Sequence, residues 1–299
     1  MENEQKGPLK INIFWSIIIF ASFNIIVGMG FLFGLIINFY TFLMVLIILN
    51  IAAIILSVLG IHKEQKLKKE IRSDTKWAIF FRKLFNIAGG LATLGICWFL
   101  GPWLTFFVMV ALLFAFGLHE ILYVKYKIKT LFTNTILAFG RDSGPDEIFW
   151  PSINALSSFS FVIGVCSIFF SAYFGTNFWW QLFIVAAASI LIWGVGDSTA
   201  YYMGTAFGKK KLPWNENKSY IGSLSFLIVG TIIALIFLSP YIDTFFGIQP
   251  LLSGYNWIWV SASAGLLGAF VESLNIKITD NFTVPAIISL FLALAIIVF

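Results

Sequence analysis

At 299 residues, 60% hydrophobic and only 11% charged, the chain carries more apolar surface than a water-soluble fold can bury, which excludes a soluble globular protein. Its net charge of +5 comes without any basic patch interleaved with aromatic residues, so nucleic-acid binding is excluded and the charge reads as membrane topology. The apolar runs are long and non-alternating, unlike the dyad pattern of a barrel. The expected fold class is therefore an all-α, polytopic transmembrane helical bundle.

The N-terminus MENEQKGPLK is polar, and the apolar run after it is too long for a signal-peptide core and lacks a small-residue cleavage pattern, so a structural first span is expected. No Asp, Glu, Lys or Arg occurs between Ile11 and Ile61, which leaves room for two spans at roughly 20 residues each. Further runs give spans at 84–100, 103–123, 155–174, 179–196, 221–240, 257–275 and 282–299, after 13–34 and 38–61. Cys97 and Cys166 fall inside these runs without ligand spacing and are expected to pack. About nine spans put the termini on opposite faces. With the N-terminus cytoplasmic, all 19 Lys and Arg residues fall on the inner side: in the N-terminus, in 62–83, in 124–154, in the connection after Gly196, and at Lys277.

An ionisable residue within a span costs up to about 2.5–3.5 kcal/mol on insertion scales, so each of the few here is a functional candidate. They are Asp197 after span six, Glu272 near the end of span eight, Asp280 before span nine, and the pair His119-Glu120, which is read as helix capping or snorkelling. If helix six continues past Asp197, then Asp197, Ala200, Gly204 and Gly208 share one face, open to a packed backbone or to a ligand. Lys209, Lys210, Lys211, Lys218 and Ser219 follow, and the next helix begins near Ile221, so cations and helix N–H groups converge where a phosphate would be favoured. This is not a Walker A loop, because the glycines that wrap backbone around phosphates are missing before Lys218. The segment ESLNIKITDN, residues 272–281, adds two carboxylates to Asp197. Divalent magnesium is held by one or two carboxylates plus substrate phosphates, so the parts of a nucleotide–metal site are present.

Two blocks at these positions resemble the CTP-dependent polyprenol kinases: phytol kinase, dolichol kinase and the CTP-using diacylglycerol kinase. The first is GDSTAYYMGTAFGKKKLPWNENKSYIGS, Gly196–Ser223, with matches at Gly196, Asp197, Ala200, Gly204, Gly208, Lys209, Pro213, Asn217, Lys218, Ser219, Gly222 and Ser223. The second is VESLNIKITDNFTVP, Val271–Pro285, similar to the phytol kinase branch at Glu272, Ser273, Asp280, Asn281, Thr283, Val284 and Pro285, with Thr279 in place of an Asp. RKLFNIAGG, Arg82–Gly90, is similar to an Arg-Lys-x-x-His block, with Asn86 near the histidine position and Thr205 replacing the Arg of a Gly-Arg pair further on.

The resemblance spans about residues 76–299, leaving 1–75 as a two-span extension with a basic cytoplasmic loop. It implies a membrane lipid kinase, active on the cytoplasmic face, transferring the terminal phosphate of CTP to an isoprenoid or other lipid alcohol. Asp197 and Asp280 would hold Mg²⁺ or Mn²⁺, and Glu272 or Asp197 would take the alcohol's proton. Arg82, Lys83, Gly204, Gly208, Lys209, Lys218, Ser219, Gly222 and Asn281 would hold the nucleotide. A phosphatidate cytidylyltransferase-like transfer of CMP to a lipid phosphate would use the same parts. A transporter would instead line a path near the midplane.

Overall fold

The computed structural model describes residues 12–34, 47, 50–51, 76–130, 133, 150–175, 178–245, 247, 250–274 and 280–299. The order is α1 (Ile13–Gly34), α2 (Lys76–Glu120) with a π turn (Ile121–Lys125), α3 (Trp150–Phe174), α4 (Trp179–Phe207), β1 (Lys211–Leu212), β2 (Asn215–Ser219), α5 (Tyr220–Leu238), α6 (Pro240–Phe245), α7 (Asn256–Ser273) and α8 (Asp280–Val298). Among the described residues, 5 stretches are long and apolar enough to cross a membrane: Asn86–Lys125, Ile153–Phe174, Trp179–Phe207, Tyr220–Phe245 and Asp280–Val298. A polytopic helical bundle is therefore established. The expected span 38–61 and the boundary at 75/76 lie outside the described residues, apart from isolated positions such as Asn50.

The chain forms two compact units, residues 1–82 with 107–156, and residues 83–106 with 157–299. In the first, Asn24 and Asn50 exchange side-chain hydrogen bonds of 3.2 and 2.8 Å, a polar clasp suited to an apolar surrounding. His119 does not snorkel as expected. It is buried, with Nδ1 3.2 Å from the Ala115 carbonyl oxygen and Nε2 bonded to Thr130, whose own N–H donates to Thr133 Oγ1 at 2.8 Å. A hydroxyl just past the π turn thus satisfies the imidazole, a contact that the helix sequence alone does not reveal.

In the second unit α4 is the spine. Ile184, Val185, Ala187, Ile190, Ile192 and Trp193 are all buried, with helices packed on several sides. Residues 83–106 of α2 run antiparallel to α4: Gly90 faces Ile190, Ile87 faces Gly194, and Trp179 Nε1 donates to the Cys97 carbonyl at 3.4 Å. α5 runs antiparallel along another face, with Phe226 against Gly196 and Gly222 against Ala200. Phe226 and Ile288 of α8 close on Gly268 of α7. α3 joins through Phe159, edge-on to Trp193, and Phe161, edge-on to Phe282. Cys97 and Cys166 are both fully buried in this packing.

Two sequence expectations need correction. The sixth span does not end at residue 196 but continues as helix to Phe207. Its polar residues do not break the helix because Ser198, Thr199 and Thr205 return their hydroxyls to the carbonyls of Gly194, Val195 and Tyr201 at 2.6–3.0 Å. The lysine-bearing connection that follows, expected as a short loop, forms a hairpin. β1 and β2 pair antiparallel, Leu212 opposite Asn215 and Lys211 opposite Ser219, around a Pro213-Trp214 turn. The break expected between 100 and 103 is present as Gly101, at φ 74° and ψ 171°, just before Pro102. A residue before proline avoids the helical region, and a positive φ suits glycine alone.

Aromatic residues mark the two ends of this unit. Trp98, Trp179, Trp180 and Phe183 cluster at one end with ring centroids 5.1 Å apart for Trp98–Trp179 and 4.4 Å for Trp179–Trp180. At the other end Tyr202, Phe207, Trp214 and Tyr220 are exposed. From Trp180 to Tyr201 the helix rises roughly 30 Å, the thickness of a bilayer's hydrocarbon core, so the aromatics stand at the spacing expected of two membrane interfaces. Asp197 lies one turn inside the second rim.

Tight packing at α5–α7 gives a test. A Cβ on Gly265 would lie 2.1 Å from Thr231 Oγ1 and 2.7 Å from the Thr231 backbone nitrogen, whereas one on Gly89 meets nothing within 4 Å. Gly265→Ala is expected to destabilise by about 1–3 kcal/mol and Gly89→Ala not at all, read as thermal unfolding in detergent. Equal effects at both positions would contradict this packing.

Candidate active site

The second unit gathers three carboxylates at the tyrosine-bearing end of α4. Asp197 projects from α4, Glu272 from the last turn of α7 and Asp280 from the first residue of α8. One oxygen from each lies within 4.8 Å of the others. Asp197 and Glu272 are buried, while the Asp280 side chain is 37% exposed and opens the cluster on one side. Asp197 is far in sequence from Glu272 and Asp280, and the packing of α4 with α7 and α8 brings them together.

Two lysines neutralise most of this charge. Lys83 of α2 is ion-paired with Asp197 Oδ2, and its ammonium lies 5.5 Å from the centroid of the Tyr201 ring. Lys218 of β2 bonds Glu272 Oε1 and reaches Asp280 Oδ2 at 3.3 Å. Burial opposes the charge on Lys218, but the Asp280 and Glu272 carboxylates outweigh it and hold its pKa above the ordinary lysine value. Lys218 is therefore an ammonium throughout the physiological range.

The hairpin delivers Lys218 because its neighbours anchor it. Asn215 Nδ2 donates to the Ser273 carbonyl at 3.1 Å, and Trp214 Nε1 donates to Ser273 Oγ at 3.3 Å, tying the hairpin to the residue after Glu272. Sequence reasoning missed Trp214 and Asn215. Nothing local marks them, although the Glu272-Ser273 pair recurs in the block singled out above. Ser219 ends β2 and caps α5, accepting from the Gly222 N–H at 3.1 Å.

The glycines of the motif surround this cap. A Cβ on Gly208 would lie 2.3 Å from Ser219 Oγ, one on Gly204 3.0 Å from it, and one on Gly222 2.9 Å from the Ala200 carbonyl oxygen. Of the two uses open for the shared face of α4, this one is backbone packing, which seats the hairpin against α4. Lys209 is exposed at the hairpin's base, with Lys210 over the Tyr220 ring at 5.4 Å. Asn281 is next to Asp280 in the first turn of α8. Pro285 has no N–H to return to the Asn281 carbonyl, so that oxygen lacks its helical partner beside Asp280. Asn86 is half-buried one turn from Lys83. The Arg82 side chain, Lys277 and Thr279 lie outside the described residues.

A divalent cation suits this donor set. Glu272 Oε2 is buried without any hydrogen-bond partner, an expensive arrangement for a carboxylate oxygen unless a cation or ligand proton meets it. All three side chains offer hard oxygens, the preference of Mg²⁺ and Mn²⁺ over softer metals.

Removing the hairpin's anchor should be measurable. Asn215→Ala strands the Ser273 carbonyl and is expected to cost about 1–3 kcal/mol in thermal unfolding and to speed tryptic cleavage after Lys209–Lys211. Unchanged cleavage and unfolding would mean that the hairpin is held by other contacts.

No family model matches the chain, and no solved structure matches it. Curated relatives do. It is 31% identical over 113 residues to "Probable phytol kinase 2, chloroplastic" of Oryza sativa subsp. japonica, covering 38% of this chain and 36% of the relative. It is 32% identical over 120 residues to "Phytol kinase 1, chloroplastic" of Arabidopsis thaliana, with 38% and 36% covered. It is 34% identical over 109 residues to "Farnesol kinase, chloroplastic" of the same plant, with 36% and 34% covered. The matched part thus spans about a third of each relative's length. Within that stretch the chain is distantly homologous to phytol and farnesol kinases.

Proposed function

We propose that the protein is an integral membrane lipid kinase that transfers the terminal phosphate of a nucleoside triphosphate, CTP in preference, to an isoprenoid alcohol such as phytol, geranylgeraniol or dolichol. The observation that carries this reading is the meeting of Asp197, Glu272 and Asp280 with Lys83 and Lys218 at one rim of the apolar slab. Partial homology to phytol and farnesol kinases supports it. The preference for CTP rests on the resemblance of the 196–223 and 271–285 blocks to the CTP-dependent polyprenol kinases.

Phosphoryl transfer asks a protein mainly to position reactants and cancel charge. In this reading Asp197 and Asp280 hold Mg²⁺, which when bound neutralises charge on the phosphates. Lys218 and Lys83, with Arg82 beside it in sequence and Lys209 at the rim, steady the phosphate oxygens. Ser219 and the glycines Gly204, Gly208 and Gly222 serve the site by holding the hairpin in place, and Asn281 offers hydrogen bonds at the start of α8. A lipid alcohol reaches the site from the bilayer, its hydroxyl at the interface and its tail between apolar helices. Glu272 takes the hydroxyl proton in this reading: Lys218 engages its Oε1 and leaves Oε2 without a partner, whereas Asp197 is committed to both Lys83 and the cation. Nine spans with a cytoplasmic N-terminus put this rim on the cytosolic side, where the nucleotide is.

The test supplies the purified protein with labelled CTP, ATP or UTP and with phytol, geranylgeraniol, farnesol, dolichol or diacylglycerol. The expected products are a phosphorylated isoprenoid alcohol and CDP, with Asp197→Asn lowering the rate by at least about a hundredfold. No phosphorylation of any alcohol, or full activity in Asp197→Asn, would refute the proposal. A CDP-lipid with pyrophosphate would assign the same residues to cytidylyl transfer instead.

A further inference from the structure

We propose that Lys218 is an exchangeable counter-ion that makes the carboxylate cluster bind a divalent cation together with a polyphosphate, and only weakly by itself. Lys218 occupies Glu272 Oε1 and Asp280 Oδ2, and Lys83 occupies Asp197 Oδ2, so both side chains that would hold the cation, Asp197 and Asp280, already carry an ammonium. A metal ion and an ammonium on the same carboxylates repel each other. An entering cation therefore pushes Lys218 aside, and the lysine side chain, only 27% exposed, is left beside a dication with little water to screen it.

A polyphosphate removes that penalty. Its oxygens give the displaced ammonium a new partner while they bridge to the metal, so Lys218 moves from carboxylate to phosphate and no charge is left unpaired. The exposed Lys209, Lys210 and Lys211 at the base of the same hairpin add positive charge where the rest of such an anion would extend. The ligand class is thus a metal–polyphosphate complex. The coupling is reciprocal: each component raises the affinity for the other by the same factor. Glu272 Oε2, buried and without a partner, shows that the two lysines leave the cluster short of positive charge.

This inference rests on the carboxylates being the metal site of the proposed kinase but requires no lipid alcohol. The experiment titrates Mn²⁺ into the full-length protein in detergent, following free Mn²⁺ by electron paramagnetic resonance, without nucleotide and with CTP after correction for the Mn–CTP complex in solution. The unmodified protein is expected to bind Mn²⁺ at least about tenfold more tightly with CTP. Lys218→Met is expected to bind Mn²⁺ alone more tightly than the unmodified protein and to lose most of the coupling, while Lys218→Arg keeps it. Equal Mn²⁺ affinity with and without CTP in the unmodified protein would overturn the proposal without any variant, as would weaker binding of Mn²⁺ alone to a folded Lys218→Met. Coupling without phosphorylation of any alcohol would uphold this inference and refute the kinase reading.

Discussion

The pairing of Lys218 with Glu272 and Asp280, and of Lys83 with Asp197, is the constraint on which the rest of the second unit depends. Three carboxylates within 4.8 Å of one another repel, and near an apolar slab that repulsion is poorly screened. Without the two ammonium groups the ends of α4, α7 and α8 could not close on the same point with their acids ionised. The lysines come from elements that packing must first deliver. Lys83 depends on α2 lying along α4, and Lys218 on the hairpin lying against the end of α7.

Each delivery has its own physical basis. The contact of α2 with α4 uses Gly90 and Gly194, where the absence of a side chain leaves room for Ile190 and Ile87. The hairpin is fixed from below by Ser219, surrounded by Gly204, Gly208 and Gly222, and from the side by Asn215 and Trp214 on Ser273. These glycines, on a face that the sequence leaves open to a packed backbone or a ligand, allow the lysine-bearing strand to approach α4. The polar segment after Gly196 remains helical because its hydroxyls are satisfied within the helix. This extends a rigid support from the membrane interior out to Phe207.

Much of this was legible in the sequence because the membrane makes polar residues conspicuous. Asp197, Glu272 and Asp280 stand out against apolar runs, and their placement near span ends already suggested one face. The continuation of α4 was legible as a condition, since Asp197, Ala200, Gly204 and Gly208 share a face only if the helix persists. What could not be read is long-range. The partnership of Lys83 with Asp197 joins residues 114 positions apart, and nothing in either segment's spacing specifies the other. The hairpin is too short for a period-two pattern, and Lys209–Lys211 reads as an ordinary topogenic loop. His119 looked like a capping residue because its satisfying hydroxyl, Thr130, lies beyond the helix end. Hydropathy also ended the sixth span at Val195-Gly196, since it measures the cost of burying a side chain and not the continuity of the backbone.

In the proposed kinase, Asp197 and Asp280 hold a cation beside Glu272, and a polyphosphate meets it there. The most direct measurement is an anomalous difference map from crystals of the protein grown with Mn²⁺ and CTP. A single manganese peak among the three carboxylates, with the CTP phosphates against it and Lys218 turned toward them, is the expected result. A manganese peak elsewhere, or phosphates bound away from Lys218 while it remains on Glu272 and Asp280, would contradict it.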